Sequence, residues 1–327
     1  MNIPLKPMPV VKIIPLDGCK PLPQTVTDVR SPYLQEFLTS RYLSANTKKA
    51  YDRELNRFLD WSNLPLTEIG SRQIAKFKQY LQIDCQLSSA SLNRALAALK
   101  SFYNWLIKAY PSQFSHDPTG AIDFESLPLS PAQDLSEAEV MRLWEVVTQV
   151  DSASPVKLRD AALLSILSHG LRASEVAALT VGDFDGKRLH IRTAKDDSTG
   201  TVPLNAKARE HISTYLKERR SLPDGKLADT SPLLLSCSNR NKGQALSYEG
   251  IYKIVTDWGK RSKIALLHPH RLRHTYATGL LLLGMESYLA RSLTRHQSEA
   301  SFNRYAKRAR AVAAEKAFYQ AIGEEDI

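Results

Sequence analysis

The chain has 327 residues, of which 43% are hydrophobic, so it is long enough for two domains with ample cores. Its three cysteines, Cys19, Cys85 and Cys237, are scattered and odd in number, which excludes a disulfide framework and a paired-cysteine metal site. Because no apolar run approaches the roughly 20 residues of a membrane helix, and no signal-type segment is present, we expect a cytoplasmic protein.

Positive charge is concentrated in two stretches of the chain. Lysine and arginine outnumber aspartate and glutamate by 44 to 34, which gives a net charge of +10. Residues 41–108 carry eleven basic and five acidic side chains, and residues 253–310 carry twelve and three. This distribution favours a polyanionic partner such as nucleic acid. A basic surface that only keeps the protein soluble is the alternative.

The N-terminal part of the chain divides into an arm and a helical domain. Residues 1–29 contain six prolines and no helical period, so we interpret them as a flexible arm. Residues 30–110 show helical spacing, for example Tyr51, Leu55 and Phe58 in a helix with Ser44 as its N-cap. The basic residues of this domain that we select as candidate nucleic-acid contacts are Lys48, Lys49, Arg53, Arg94 and Lys100.

A second domain follows a linker. Residues 111–134 are rich in proline and serine and lack a period, which is typical of a connection between two cores. Ser136 and Glu139 then have the spacing of a capping box. The segments "RLHIRT" and "TVPL" alternate around a polar turn, which predicts a β-hairpin with Lys195 near its tip. We therefore expect residues 135–327 to be mainly α-helical with a small antiparallel β-sheet.

The segment "HPHRLRHTYAT", residues 268–278, holds three of the eight histidines and two arginines within seven positions. His270 and His274 lie four residues apart and would share a helix face, as in some zinc sites. Arg271 and Arg273 stand beside them, and their positive charges oppose a bound dication, so we expect no metal there. Taken alone, the segment is typical of a basic surface, and we interpret His274 as a structural histidine.

Two other segments, "GLRASE" at 170–175 and "TRHQSEASFNRY" at 294–305, complete a recognisable pattern. Together with the histidine-rich segment, they resemble the tyrosine recombinases, also called phage integrases. The family's active site joins an arginine, a lysine on a β-hairpin, an H-x-x-R pair, a further histidine and a nucleophilic tyrosine. In this chain the matching positions are filled by Arg172, Lys195, His270, Arg273, His296 and Tyr305.

The resemblance implies a fold, an activity and partners. The fold would be a helical core-binding domain followed by a mixed α/β catalytic domain. The activity would be site-specific recombination, in which DNA strands are cut and rejoined through a 3′-phosphotyrosyl bond. The partners would be double-stranded DNA sites and further copies of the chain in a homotetramer on two sites. Neither a metal ion nor another cofactor is implied. The resemblance does not say whether an accessory protein takes part.

The chemistry implied by the resemblance agrees with the residue types. Arg172 and Arg273 would clamp the phosphate, because guanidinium groups meet its oxygens with paired hydrogen bonds. Tyr305 would attack phosphorus with His270 as its base. Lys195 would protonate the leaving 5′ oxygen.

Two further residues have supporting roles. His296 would donate a hydrogen bond to the phosphate, as the matching family residue does. Glu175 lies three residues after Arg172, on the same helical turn, and would orient and buttress its neighbours. A simple intrahelical acid is the alternative for Glu175.

The sequence departs from the family pattern at three places. Arg295 stands where the family has a glycine before the histidine, and it would either disturb His296 or add a phosphate contact. Asp196 and Asp197 follow Lys195 directly, and their charges favour the protonated lysine and repel DNA. His169 replaces a more usual threonine.

Two other functions therefore stay open, a DNA-binding protein that has lost catalysis and a type IB topoisomerase.

The C-terminal segment, residues 312–323, is predicted to be a helix with Val312, Phe318 and Ala321 on an apolar face. This face would dock on a neighbouring protomer or pack within its own chain.

Overall fold

The computed structural model describes residues 30–127, 133–148, 154–192, 199–220 and 227–323. The chain divides into two compact units, Met1–Pro128 and Leu129–Ile327, and each has its own hydrophobic core. In the described ranges both units are mainly helical, with one two-stranded antiparallel sheet, which confirms the predicted fold class. None of the helices in these ranges combines the length and the apolar character needed to cross a membrane.

The N-terminal unit is a bundle of amphipathic helices. Its described α-helices are α1 (Ser31–Ser40), α2 (Ala45–Trp61), α3 (Ser71–Ile83) and α4 (Ser89–Ala109). The predicted N-cap of α2 is confirmed, because the Ser44 hydroxyl accepts a hydrogen bond from the Thr47 N–H at 3.2 Å. Leu55 and Phe58 of α2 are buried in the bundle core, and Tyr51 is half-buried beside them.

The C-terminal unit contains eight described α-helices and the sheet. In chain order these elements are α5 (Glu137–Thr148), α6 (Pro155–Leu167), α7 (Ala173–Ala178), β1 (Arg188–Ile191), β2 (Gly200–Pro203), α8 (Ala206–Arg220), α9 (Tyr248–Arg261), α10 (Pro269–Leu282), α11 (Ser287–Thr294) and α12 (Glu299–Ile322). Helix α6 is buried from Arg159 to Leu167 and lies in the core, where it packs against α5, α8 and α10.

Local sequence signals explain how this unit begins and where its sheet forms. The Ser136 N–H donates to the Glu139 carboxylate at 2.9 Å, and the Glu139 N–H donates to the Ser136 hydroxyl at 3.2 Å, so the predicted capping box is confirmed. Strands β1 and β2 pair antiparallel with Leu189 opposite Val202, and both side chains are buried. The predicted pairing of the two strands is therefore correct.

Helix α12 is longer than the predicted C-terminal helix, because it starts at Glu299 and runs through Tyr305 to Ile322. Its first half packs against α10. In its second half Phe318 and Ala321 are exposed, whereas Val312 is half-buried and lies on the opposite side of the helix from Ala321, so the three residues do not share one face. Phe318 and Ile322, one turn apart, are 58% and 49% exposed, so the described part of the unit leaves these two apolar side chains uncovered.

Candidate active site

The turn before α7 fixes Arg172 and Glu175 together. Arg172 is the N-cap residue of α7, and its N–H donates to the Glu175 carboxylate at 2.8 Å while its Nη1 donates to the other oxygen at 2.6 Å. Gly170 precedes them with φ +77°, and a Cβ at this position would lie 2.5 Å from the Tyr276 ring. Only glycine meets both requirements, so the sequence "GLRASE" specifies this turn.

Arg273, on the first half of α10, is almost completely buried. Its two terminal nitrogens donate to the backbone carbonyls of Gly170 and Thr294. Burial, followed by the charge of Arg172, lowers the pKa of Arg273 to about 9. At neutral pH the side chain is still a cation, and it joins α10 to the turn before α7 and to the end of α11.

His274 and His296 pack against the predicted nucleophile, and His270 lies next to His274. The His274 ring lies 4.5 Å from the His270 ring and 5.2 Å from the Tyr305 ring, measured between centroids. Its Nδ1 accepts a hydrogen bond from the Gln133 N–H at 3.3 Å, so in the neutral ring the proton is on Nε2. Burial, together with nearby His270, lowers the pKa of His274 to about 3. His274 is therefore a buried, neutral neighbour of Tyr305.

His270 and His296 are also neutral at pH 7. The surrounding protein and then the charge of Arg273 lower the pKa of both rings. The Thr294 hydroxyl lies 2.7 Å from Nδ1 of His296 and donates to the carbonyl of Ala290 at 2.9 Å, so it accepts from His296. The Nε2 of neutral His296 is then an acceptor, and it donates to a phosphate only after the ring takes up a proton.

Tyr305, on the first half of α12, is fully buried, and its hydroxyl has no hydrogen-bond partner among the described residues. Its ring packs between His274 and His296, at 5.2 and 5.4 Å, and the Arg304 guanidinium lies 5.7 Å from the ring centre. Burial raises the pKa of Tyr305, although Arg304, Arg273 and Arg172 oppose this effect. The sequence did not predict this burial, and a nucleophile must be accessible to react.

A cleft of about 320 Å³ opens beside these groups. Its polar and aromatic lining consists of Arg172, Ser174, Tyr248, Tyr252, His268, His270 and Arg273. The two tyrosines, on the N-terminal turns of α9, were not predicted as site residues. They are 48% and 45% exposed, but sequence periodicity does not show that α9 begins beside the arginines. The cleft is cationic, because Arg172 and Arg273 line it.

The structure describes two of the three places at which the sequence departs from the family pattern. Lys195, Asp196 and Asp197 lie outside the described residues. His169 is a buried structural residue, since its Nδ1 lies 2.7 Å from the Ser165 carbonyl and its Nε2 accepts from the Asn205 N–H at 3.3 Å. Arg295 adopts φ +52°, the left-handed conformation that suits glycine, and its guanidinium binds Glu175 at 2.7 Å.

In the N-terminal unit, three arginines meet at one buried carboxylate. Glu54 is 1% exposed and accepts from Arg53 and Arg57 at 2.7 Å each, while Arg94 approaches to 3.4 Å. Arg53 and Arg94 belong to the predicted contact set, whereas Glu54 and Arg57 do not. Among the other predicted contacts, Lys48 and Lys49 are exposed, and Lys100 is half-buried with its ammonium 4.7 Å from the centre of the Phe124 ring.

Comparisons with known proteins agree over both units. The family model of the phage integrase family matches residues 133–311, and that of the phage integrase N-terminal SAM-like domain matches residues 33–110. "Tyrosine recombinase XerD" from Listeria innocua is 30% identical over 283 residues, which is 83% of this chain and 91% of the relative. "Tyrosine recombinase XerC" from Roseiflexus sp. is 28% identical over 280 residues, or 84% and 87% of the two chains.

Solved structures show a similar fold. The crystal structure of the XerH site-specific recombinase bound to its difH substrate matches with a TM-score of 0.64. The two sequences are 22% identical, and the match covers 89% of this chain and 85% of that chain.

Proposed function

Because the chain belongs to the phage integrase family of tyrosine recombinases, we propose that it is a site-specific recombinase that cuts and rejoins DNA strands through Tyr305. One observation supports this most strongly. Arg172, Arg273 and His270 come from separate segments of the C-terminal unit and line one cationic cleft. Tyr305 is buried nearby, in contact with His274, which in turn packs against His270. Residues 135–327 of this unit would be the catalytic domain.

Arg172 and Arg273 would bind the phosphate to be cut. Negative charge on the non-bridging oxygens grows as phosphorus is attacked, and fixed guanidinium groups stabilise that charge without reorganisation. Arg172 is fixed by Glu175, and Arg273 by two carbonyls. His296 would join them once the phosphate's negative charge has raised its pKa, since the protonated ring can donate from Nε2.

Bond formation and bond breaking would then balance in one step. The Tyr305 oxygen forms a bond to phosphorus, its proton passes to the neutral ring of His270, and the bond to the 5′ oxygen breaks. Lys195 gives the departing oxygen its proton, which leaves a 3′-phosphotyrosine and a free 5′ hydroxyl. A 5′ hydroxyl from another strand reverses the step, so the reaction consumes no ATP.

For this chemistry Tyr305 must leave its buried position. Its hydroxyl has no partner to lose, and the ring is held by aromatic contacts with His274, His296 and Phe302. We therefore propose that bound DNA favours a second arrangement of the first half of α12, in which the hydroxyl reaches the cleft.

DNA would be held by both domains. The helical domain, residues 30–110, would contact backbone phosphates through Lys48, Lys49, Arg53, Arg94 and Lys100, whereas residues 111–134 would be the linker and residues 1–29 a flexible arm. The relative XerH is described as bound to its difH substrate. The exposed apolar side chains of Phe318 and Ile322 on α12 support docking between protomers, so a homotetramer on two DNA sites is the proposed assembly.

A DNA-binding protein without catalysis is the second candidate. The complete burial of Tyr305 favours it, because a hydroxyl that never reaches the cleft cannot attack phosphorus.

Covalent capture separates the two functions. Wild-type protein and Tyr305→Phe are incubated with sheared DNA from the source cell, denatured, and the DNA fragments linked to protein are sequenced. The proposed function predicts adducts that form only with wild type and end at one defined sequence.

Three other results would count against it. Adducts equally abundant with Tyr305→Phe would exclude this nucleophile. Scattered Tyr305-dependent adducts would indicate a topoisomerase. Binding by both proteins with no adduct, even on nicked DNA that traps the intermediate, would favour the binding-only function.

A further inference from the structure

Arg295 occupies a backbone position that an arginine rarely adopts. It follows α11 with φ +52° and ψ +46°, and a side chain with a Cβ is disfavoured in this region. The side chain is nevertheless buried. Arg295 is 9% exposed, and its Nη1 donates to the Leu293 carbonyl at 3.1 Å. Its aliphatic stem packs on β2, where a Cβ on Gly200 would come within 3.3 Å of it.

The guanidinium of Arg295 reaches the same carboxylate that fixes Arg172. Its Nη2 donates to one oxygen of Glu175 at 2.7 Å, and Nη1 of Arg172 donates to the other at 2.6 Å. The backbone carbonyl of Arg295 also accepts from Nη2 of Arg172 at 3.2 Å. Glu175, which is 2% exposed, is therefore shared by two arginines, and Arg295 contacts Arg172 both directly and through Glu175.

The charge balance of this cluster depends on Arg295. Arg172 and Glu175 alone form a neutral pair, which would attract a phosphate weakly. With Arg295 the cluster keeps one net positive charge, and Glu175 divides its hydrogen bonds between the two arginines. Although burial by itself raises the pKa of Glu175, the charge of Arg295 and the hydrogen bonds from Arg172 bring it below its ordinary value.

The geometry points to Arg295 as a positioning residue, which shares the Glu175 carboxylate and thereby fixes Arg172 and preserves its charge for the scissile phosphate. This inference rests on the proposed recombinase function. The sequence suggested that Arg295 would either disturb His296 or contact a phosphate. The burial of its guanidinium against Glu175 argues against the phosphate contact.

A double-mutant cycle tests whether Arg295 acts through Glu175. The variants are Arg295→Met, Glu175→Gln and the double variant. The probe is the DNA duplex captured by wild type, nicked beside the cleavage position so that the covalent adduct accumulates. We expect Arg295→Met to slow adduct formation about tenfold in the wild-type background and less than about twofold in the Glu175→Gln background, as for residues that act through one contact.

The salt dependence of binding distinguishes positioning from direct DNA contact. We expect Arg295→Met to leave the slope of binding affinity against salt unchanged on a random-sequence duplex. A slope reduced by about one, with an equal rate loss in both backgrounds, would show a direct phosphate contact and overturn the inference. A wild-type rate for Arg295→Met would also overturn it.

The pH profile provides a readout that general destabilisation would not move. The charged groups facing Glu175 are Arg172 before α7, Arg273 on α10 and Arg295 after α11. Without the charge of Arg295, Glu175 takes up a proton at higher pH and releases Arg172. The acid limb of the rate profile should therefore move to higher pH in Arg295→Met and return toward wild type in Arg295→Lys.

A second neutral variant covers the case in which Arg295→Met does not fold. Arg295→Gln keeps a hydrogen-bond donor, and its acid limb should move in the same direction; an unmoved limb would overturn the inference. Wild type and Tyr305→Phe are measured in the same series. Absence of wild-type adducts would contradict the recombinase function itself, which is a different failure from normal adduct formation by the Arg295 variants.

Discussion

Each unit of the protein contains a buried glutamate shared by arginines, but the two clusters differ in exposure. Glu54 of the N-terminal unit is 1% exposed, while the side chains of Arg53, Arg57 and Arg94 around it are 56%, 33% and 50% exposed. In the C-terminal unit, the side chains of Arg172 and Arg295 around Glu175 are 27% and 6% exposed.

This difference in exposure suits the two clusters to different roles, DNA binding at Glu54 and the chemical step at Glu175. Exposed guanidinium groups can adjust to a DNA backbone, and water screens their charges, so they suit contacts that position the protein. The groups at Glu175 are held by a buried carboxylate and by backbone carbonyls, so their positions are fixed before any substrate arrives. Preorganised charge of this kind stabilises a transition state.

The largest expected effect comes from exchanging arginine for lysine in each cluster. Arg172→Lys should slow adduct formation by about a hundred- to a thousandfold, because lysine lacks the paired donors that hold Glu175 and meet the phosphate. The matched variant Arg53→Lys should change the rate less than about twofold, since a lysine still attracts a phosphate as a point charge. Both rates are measured at saturating protein on the nicked duplex.

Similar losses for both variants would contradict this comparison. They would mean that the Glu54 cluster also affects the chemical step, rather than only holding DNA.

Acid should affect the C-terminal unit more than the N-terminal unit. His274 and His296 have pKa values of about 3 in the folded protein, below the ordinary value of 6.5. On acidification the unfolded chain takes up protons first, so the stability contributed by these neutral rings is lost as the pH falls from about 6.5 towards 3. Each ring can contribute up to about 1.4 kcal/mol per pH unit in this window.

Proteolysis in urea, with the cleaved peptides assigned to each unit by mass spectrometry, measures this effect at pH 7 and pH 5. His274→Gln cannot take up the proton and should reduce the pH dependence of the C-terminal unit. His116→Gln changes the histidine of the N-terminal unit, which is exposed, and is the matched control. If both units lost equal stability, the assignment to the buried histidines would be wrong.

Local signals explain how much of the fold the sequence could predict. The Ser44 cap, the Ser136–Glu139 capping box and the alternation in β1 and β2 depend on residues close in sequence, and all three are confirmed. The family was also predicted correctly, because its motifs keep their order and spacing along the chain. Lys195 was predicted from the same motifs, but it lies outside the described residues.

The relations that were missed depend on tertiary contacts. Arg295 and Glu175 are 120 residues apart, and no local pattern shows that their side chains meet. The same holds for His274, whose contact with Tyr305 joins α10 to α12. Burial of Tyr305 was not predictable either, because the nine-residue spacing from His296 identifies the tyrosine without fixing the direction of its hydroxyl.

The smallest expected effect is on the salt dependence of DNA binding. It tests whether Glu54 weakens the attraction of Arg53 and Arg94 for DNA phosphates. Each phosphate contact contributes about 0.9 to the slope of log affinity against log salt. The Lys48→Ala, Lys49→Ala double variant should therefore reduce the slope by about two. The Arg53→Ala, Arg94→Ala variant should reduce it by only about one, because Glu54 already neutralises part of their charge. Equal reductions on a random-sequence duplex would show that DNA displaces Glu54 from its arginines, and the two clusters would then differ less than their exposure indicates.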